Sequence, residues 1–333
     1  MRVAIDATPL TLSSGGLARY TSELTQALSA QFPEDEYTLV SEPEPLWWLW
    51  GVQREMTRHE STLFHGTNFE VPYLPTRPSV MSLHDLSPWM DPTWHHAADR
   101  VRNRTPALIK LGIATMIVTD SESIRRQAID HFRIHPDRIA SVPLAASTRF
   151  KPTNCPPPAH PHFLYVGTLE PRKNIPLLLA AWRPVRDKYG IELLLAGRRR
   201  ADFPALPDEP GLRILGEVSD HDLPALYSQA LAFVYPSLYE GFGLPVLEAM
   251  QCGACVIAST DPAIAEVIGD AGVRLDPRNP RPWTEALLAC ARAGDWLNQR
   301  RAQSLARARK FSWERTARLT REVYTEAQRR FHG

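Results

Sequence analysis

Net charge, cysteine and long apolar runs are all scarce in this 333-residue chain. Its 38 Lys and Arg nearly cancel its 37 Asp and Glu, leaving a formal charge of +1. A protein held to nucleic acid by bulk charge needs a clear positive excess, so no nucleic-acid partner is expected. No apolar stretch approaches the ~20 residues of a membrane span. The opening MRVAIDATPL turns polar too soon for a signal peptide and reads as a first strand, so a cytoplasmic protein is expected. Only four cysteines occur, Cys155, Cys252, Cys255 and Cys290. Cys252 and Cys255 form a C-x-x-C, but a four-thiolate zinc site needs a second close pair, and there is none. They read as small residues at a helix end and in a strand. Asp220-His221-Asp222 precedes a helix beginning at Leu223, and with Ser219 it reads as an N-terminal cap rather than a metal site. No other His/Asp cluster has ligand spacing, and no internal repeat is visible. Neither a metal nor another cofactor is expected.

Hydrophobic residues (44%) and charged residues (23%) are present in globular proportion. Short buried runs at 2–6, 37–40, 62–65, 79–83, 116–119 and 139–142 read as strands, separated by helical patterns such as 17–32 and 98–112. Then KPTNCPPPAHP, 151–161, interrupts the pattern with prolines and reads as a linker. Strands restart at 163–166, 191–196, 212–215, 231–235 and 254–258, with a brief one at 273–275. Helices are expected at 175–189, 223–230, 261–268, 281–310 and 312–330. Two successive alternations predict two doubly wound α/β domains, with a cleft between them as the place for ligands. The expected boundaries are 1–150, the linker 151–161, 162–310, and a terminal helical segment 311–333.

The most informative stretch is FVYPSLYEGFGLPVLEAMQCGACVIA, residues 233–258. It reads as strand, glycine loop, short helix and strand. Pro245 suits the first turn of the helix, and Cys252-Gly253 ends it. A helix N-terminus beside a glycine loop binds anions through its free N–H groups. Glu240 and Glu248 flank it, and carboxylates accept hydrogen bonds from hydroxyls. A phosphate site between two carboxylates suits a nucleotide-linked sugar. The string from Glu240 through Gly241, Phe242, Gly243 and Leu244 to Glu248 resembles the signature of the family 4 retaining glycosyltransferases, whose hallmark is two glutamates separated by seven residues.

That resemblance implies the GT-B architecture, two Rossmann-like domains facing a central cleft, with the terminal helix crossing back to the first domain. It implies a donor site of Glu240 beside the sugar, Glu248 on the ribose, and Gly241, Phe242, Gly243 and Leu244 at the phosphates. Gly15 and Gly16, in a polar loop after the first strand, match a family loop that faces the donor diphosphate. Arg172 and Lys173, in GTLEPRKN after strand 163–166, resemble the family's diphosphate-binding stretch. Many members carry an arginine right after the glycine of that turn; here Gly167 is followed by Thr168, so Arg172 or Arg198 takes over that charge. His84-Asp85, at the carboxyl end of a strand, matches a place near the sugar and acceptor. His65 is evenly balanced between site and core. The Trp- and Pro-rich segment 86–96 is expected to shape the acceptor pocket. PLWWLW, 45–50, reads as an amphipathic helix packed on the sheet, with a membrane-surface helix as the alternative.

The expected catalytic residues are therefore His84, Arg172, Lys173 and Glu240, with His84 and Asp85 at the acceptor. The expected reaction is metal-independent transfer of a hexose, with retention, from a nucleotide sugar to a glycan or lipid-linked saccharide in polysaccharide biosynthesis. Likeness to bacterial mannosyltransferases of surface-polysaccharide assembly makes GDP-mannose the first donor reading, with UDP- and dTDP-sugars behind it. It also allows a peripheral contact with the inner membrane face. An epimerase or phosphorylase of the same fold, and a non-catalytic nucleotide-sugar-binding subunit, are the other classes.

Overall fold

The structure is a computed structural model and describes residues 1–12, 15–41, 46–95, 98–292 and 294–331. The chain divides into two compact units, Met1–Ala145 with Phe311–Gly333, and Ala146–Lys310.

The first unit runs β1 (Arg2–Asp6), α1 (Thr8–Leu12), α2 (Gly16–Gln31), β2 (Glu36–Val40), a π-helical turn (Trp47–Gly51) leading into α3 (Val52–Arg58), and β3 (Leu63–Gly66). It continues with β4 (Ser79–Ser82), α4 (Ser87–Met90), α5 (Asp99–Lys110), β5 (Met116–Thr119), α6 (Glu122–Phe132) and β6 (Ile139–Ser141). The strands form one parallel sheet ordered β2-β1-β3-β4-β5-β6. Every residue of β3, β4 and β5 is buried, as expected for parallel strands covered on both faces. The order reverses beside β1, so the carboxyl ends of β1 and β3 flank the switch point where such sheets bind ligands. Gly66 closes β3 tightly: a Cβ there would lie 1.7 Å from the Glu70 carbonyl oxygen.

The second unit runs β7 (His162–Val166), α7 (Ile175–Tyr189), β8 (Glu192–Ala196), β9 (Leu212–Gly216), α8 (Leu223–Gln229), β10 (Ala232–Tyr235) and α9 (Leu244–Gln251). Then come β11 (Val256–Ser259), α10 (Pro262–Ile268), β12 (Val273–Leu275), α11 (Pro280–Ala291) and α12 (Asp295–Ala308). Its parallel sheet has the order β12-β11-β10-β7-β8-β9, with the switch point between β7 and β10. Its core includes Phe163, Trp182, Phe233, Val246, Ile257 and Trp283, none measurably exposed. Helix α13 (Trp313–Arg330) belongs to the first unit. Its buried stripe of Trp313, Ala317, Thr320, Val323, Tyr324 and Ala327 recurs at helical spacing. Arg321 ties it to Asp35 at 2.6 Å.

Three details refine the sequence reading. The helical stretch expected over 281–310 is divided into α11 and α12, with Gly294 at φ = 95° as the cap of α12. The described part of 45–50 is helical but winds as a π-helical turn, with Trp47 buried, the Trp48 ring edge-on to Phe64 of β3 (6.1 Å) and Trp50 59% exposed; Pro45 lies outside the described residues. Phe150 is buried against the Tyr227 ring (6.0 Å), so the chain joins the second unit before residue 150. The stretch 151–161 carries no helix or strand, and is tied down by Thr153 N–H to Ser228 Oγ (3.2 Å) and Gln229 Nε2 to the Pro156 carbonyl (2.8 Å).

Candidate functional site

The switch point of the second sheet brings two loops together. After β7, Gly167–Asn174 ends in a 3-10 turn, Pro171–Lys173, and Asn174 takes a left-handed conformation that starts α7. After β10, Pro236 to Glu240 runs alongside. The Leu238 N–H donates to the Arg172 carbonyl (2.9 Å), and Arg172 Nη1 donates to the Tyr239 carbonyl (2.7 Å). Asn174 Nδ2 donates to the carbonyls of Pro236 (3.3 Å) and Pro277 (2.8 Å).

These backbone ties place Arg172, Lys173 and Glu240 in one buried network. The Glu240 carboxylate accepts from Lys173 Nζ, from the Ser237 hydroxyl and from Arg172 Nη1 (3.3 Å). Lys173 Nζ also donates to the Tyr235 hydroxyl (2.9 Å), and Arg172 Nη2 to Glu170 (2.9 Å). Burial alone would raise the Glu240 pKa, but the charges of Lys173 and Arg172 outweigh it and hold it at about 2. Burial, followed by the Arg172 charge, pulls the Lys173 pKa down against the attraction of Glu240. Two carboxylates thus cover two cations, and each of the four side chains keeps roughly a tenth of its surface exposed. Ligand phosphates reaching these cations must compete with Glu240 and Glu170. Arg198, at the end of β8, is exposed.

Helix α9 follows directly. Gly243, its N-cap, has φ = 93°, which favours glycine. Gly241 and Phe242 are buried and Leu244 partly exposed. Glu248 lies one turn into the helix, 1% exposed, and accepts from the Tyr227 hydroxyl at 3.0 Å. Asp261 caps α10, accepting from the N–H groups of Ala263 (2.9 Å) and Ile264 (3.0 Å), and its other oxygen accepts from the Glu240 N–H (3.3 Å). Burial pushes its pKa up to about 6. Sequence reading passed over Asp261 and Glu170; both follow strand ends, and that position was the available signal.

In the first unit, both His84 nitrogens are engaged: Nδ1 with Asp120 Oδ2 (2.8 Å) and Nε2 with the Thr67 carbonyl (2.8 Å). Burial opposes charge on His84, yet the Asp120 carboxylate raises its pKa. Burial raises Asp120 against the pull of His84. Ser121 caps α6, and Asp120 just before it is the partner of His84. Asp85 accepts from the Ser87 N–H (2.9 Å) and hydroxyl (2.6 Å) at the start of α4. His65 is a core residue between Tyr324 (2.7 Å) and Ser82 (2.9 Å), its pKa driven by burial to about 3. Phe69 takes φ = 60°, and the shielded Asn68 Oδ1 has no hydrogen-bond partner among the described residues. Each costs on the order of 1–3 kcal/mol, and no sequence signal announced either.

Gly15 caps α2 in an extended conformation (φ −91°), and Cβ atoms at Gly15 and Gly16 would meet nothing within 4 Å. Packing therefore does not require glycine there. Ser13 and Ser14 of the same loop, like His96 of the 86–96 segment, lie outside the described residues. Ahead of α8, the Ser219 hydroxyl accepts from the Asp222 N–H (3.3 Å) and donates to the Asp222 carboxylate (2.6 Å), a reciprocal pair at the start of the helix. Among the described residues no group of three His, Cys, Asp or Glu is placed to hold a metal ion, and no helix is long and apolar enough to cross a membrane.

Comparison with known proteins bears on this geometry. The family model described as "Glycosyl transferases group 1" matches residues 160–292, which spans both loops and α9. The O-antigen chain mannosyltransferase B of Escherichia coli is 37% identical over 286 residues, 80% of this chain and 74% of that protein. Sucrose-phosphate synthase from Thermosynechococcus elongatus superposes with a TM-score of 0.77 at 18% identity, over 98% of both chains. Anabaena HepE in complex with UDP-glucose superposes with a TM-score of 0.75 at 17% identity, over 98% of this chain and all of that one. At those identities the structural likeness speaks for the GT-B fold. Identity to the mannosyltransferase across most of both proteins goes further, and the chain belongs to the group 1 glycosyl transferases.

Proposed function

We propose that this glycosyltransferase moves mannose from GDP-mannose to a saccharide acceptor in polysaccharide assembly, with retention at the anomeric carbon and without a metal ion. The observation that carries this reading is 37% identity with an O-antigen mannosyltransferase over most of both chains. The buried Glu170–Arg172–Lys173–Glu240 network at the β7/β10 switch point supports it. On this reading the second unit binds the donor and the first the acceptor.

As the bond to the nucleoside diphosphate breaks, the sugar gains positive and the leaving group negative character. Lys173 and Arg172 stabilise the departing diphosphate, helped by the first N–H groups of α9. Glu240, released from the cations by the phosphates, turns to the sugar hydroxyls. Glu248 accepts from the ribose. The departing phosphate takes the acceptor proton on the same face, which leaves the anomeric configuration unchanged. Trp50 and Leu46, 59% and 57% exposed just ahead of α3, support a peripheral membrane contact for a lipid-linked acceptor.

Purified protein given GDP-mannose and a synthetic α-mannoside should release GDP and form an α-linked product by NMR, in the presence of a chelator. A β-linked product, or transfer from UDP- or dTDP-sugars alone, would replace this reading.

A further inference from the structure

The loop leaving β3 holds a feature that the donor chemistry does not use. Thr67, Asn68 and Phe69 follow β3 where the first sheet reverses its order, the place where open α/β sheets take ligands. Phe69 has φ = 60°, a conformation that bulky side chains avoid and glycine adopts freely. The loop is nonetheless held there on several sides. The Phe69 N–H donates to the Ser82 carbonyl (3.0 Å), and its carbonyl accepts from the Thr105 hydroxyl (3.0 Å). The Thr67 hydroxyl reaches across the switch point to the Asp6 carbonyl (2.8 Å). The Thr67 carbonyl accepts from His84, which Asp120 fixes from behind. The Phe69 ring meets His84 and Trp89 edge-on, with centroids 6.0 and 6.1 Å away, and the residue remains partly exposed. Strain of this kind persists where surrounding structure enforces it, and it gathers at ligand sites.

We propose that Phe69 is the stacking platform for a neutral pyranose of the acceptor, and that His84 and Asp120 are positioning residues that hold it in place. The negative face of an aromatic ring attracts the electron-poor C–H groups of a sugar. Glu70 neutralises Arg100 (2.7 Å) and Asp85 adds a negative charge near His84, so the surroundings offer a phosphorylated or acidic sugar no gain. With both nitrogens committed, His84 acts through the loop and not on the substrate. The substrate class rests on the glycosyl-transfer reading; the platform itself rests on the loop.

Saturation-transfer NMR on the full chain tests this, with methyl α-D-mannopyranoside, methyl α-D-glucopyranoside and mannose 1-phosphate as probes, each with and without GDP. Wild type and Phe69→Tyr should bind the neutral glycosides. Phe69→Gly relaxes the backbone, and Phe69→Leu keeps apolar bulk without a ring; both should weaken that binding about tenfold. The thermal shift given by GDP should be unchanged in all of them. Asp120→Asn should weaken glycoside binding while leaving the rate at saturating glycoside within about twofold, whereas loss of a proton-transfer group would lower that rate about a hundredfold. Glycoside binding by Phe69→Gly and Phe69→Leu equal to wild type overturns the platform. So does preference for mannose 1-phosphate, or no binding of any probe by wild type with GDP. Glycoside binding without any GDP shift would leave the platform standing and remove the donor reading.

Discussion

Lys173 sits against a carboxylate, with a buried tyrosine hydroxyl as its other partner. Removing the amine leaves Glu240 buried beside one cation fewer, and removes charge from the leaving group. Lys173→Ala should therefore lower kcat on the order of a hundredfold and raise the Glu240 pKa from about 2. Steady-state rates together with carboxylate titration by NMR check both; wild-type turnover would take Lys173 out of the mechanism. Glu248→Ala should weaken GDP binding, and unchanged affinity by calorimetry would make that residue purely structural. Asp6 offers a pH test. Burial pushes its pKa from 3.8 to about 6, against the bonds from Thr8. An acid raised in this way destabilises the fold as it ionises, so its cost appears above pH 3.8 and is complete above about 6. Asp6→Asn should be more stable than wild type at neutral pH, by on the order of 2 kcal/mol, and lose that advantage in mild acid. Urea midpoints at the two pH values decide it; an advantage independent of pH would reject the assignment. Glu240 has the opposite sign: its stabilisation holds above 4.5 and is lost as the pH falls toward about 2.

At the scale of elements, α9 depends on its first residue. Gly243 at φ = 93° turns the loop into the helix, and its Cβ position has ordinary contact distance to Ile264 (3.4 Å). Conformation rather than crowding therefore limits substitution. Gly243→Ala should cost about 1–2 kcal/mol and weaken GDP binding together with stability, since the same turn aims the helix N–H groups. Chemical denaturation and calorimetry on one sample would show the link; lost stability with intact GDP binding would separate the turn from the site. Helix α13 makes a parallel case through the Tyr324 hydroxyl on His65. That bond fixes the helix to the core of the first sheet through a buried polar pair. The element pattern was largely legible in the sequence. Strands 2–6, 116–119 and 273–275 and helix 175–189 match β1, β5, β12 and α7 end to end, because buried parallel strands and helix caps leave local signals. The π-helical turn and the break before α12 were not legible, since packing of Trp47 and one glycine dihedral decided them.

For the whole molecule, two parallel six-stranded sheets each place a switch point at their strand ends. Nucleotide binding to folded protein alone must raise its apparent stability. GDP should therefore raise Tm more than UDP or dTDP. Equal shifts would leave the donor nucleotide unassigned by this fold and remove GDP from preference. By itself the sequence determined the α/β alternation, the glycine loop with its two glutamates, and the membership those residues announce. These are contiguous patterns, written in burial period, capping and spacing. Tertiary structure alone decided which carboxylate covers which cation: Glu240 on Lys173, 67 residues apart, Asp120 behind His84, 36 apart, and Asp261 under the Glu240 N–H, 21 apart. It also decided that Phe69 would stand in a glycine's conformation at a switch point. Such partners meet because strand order brings distant loop ends together, and strand order is a property of the packed sheets that no local stretch of chain contains.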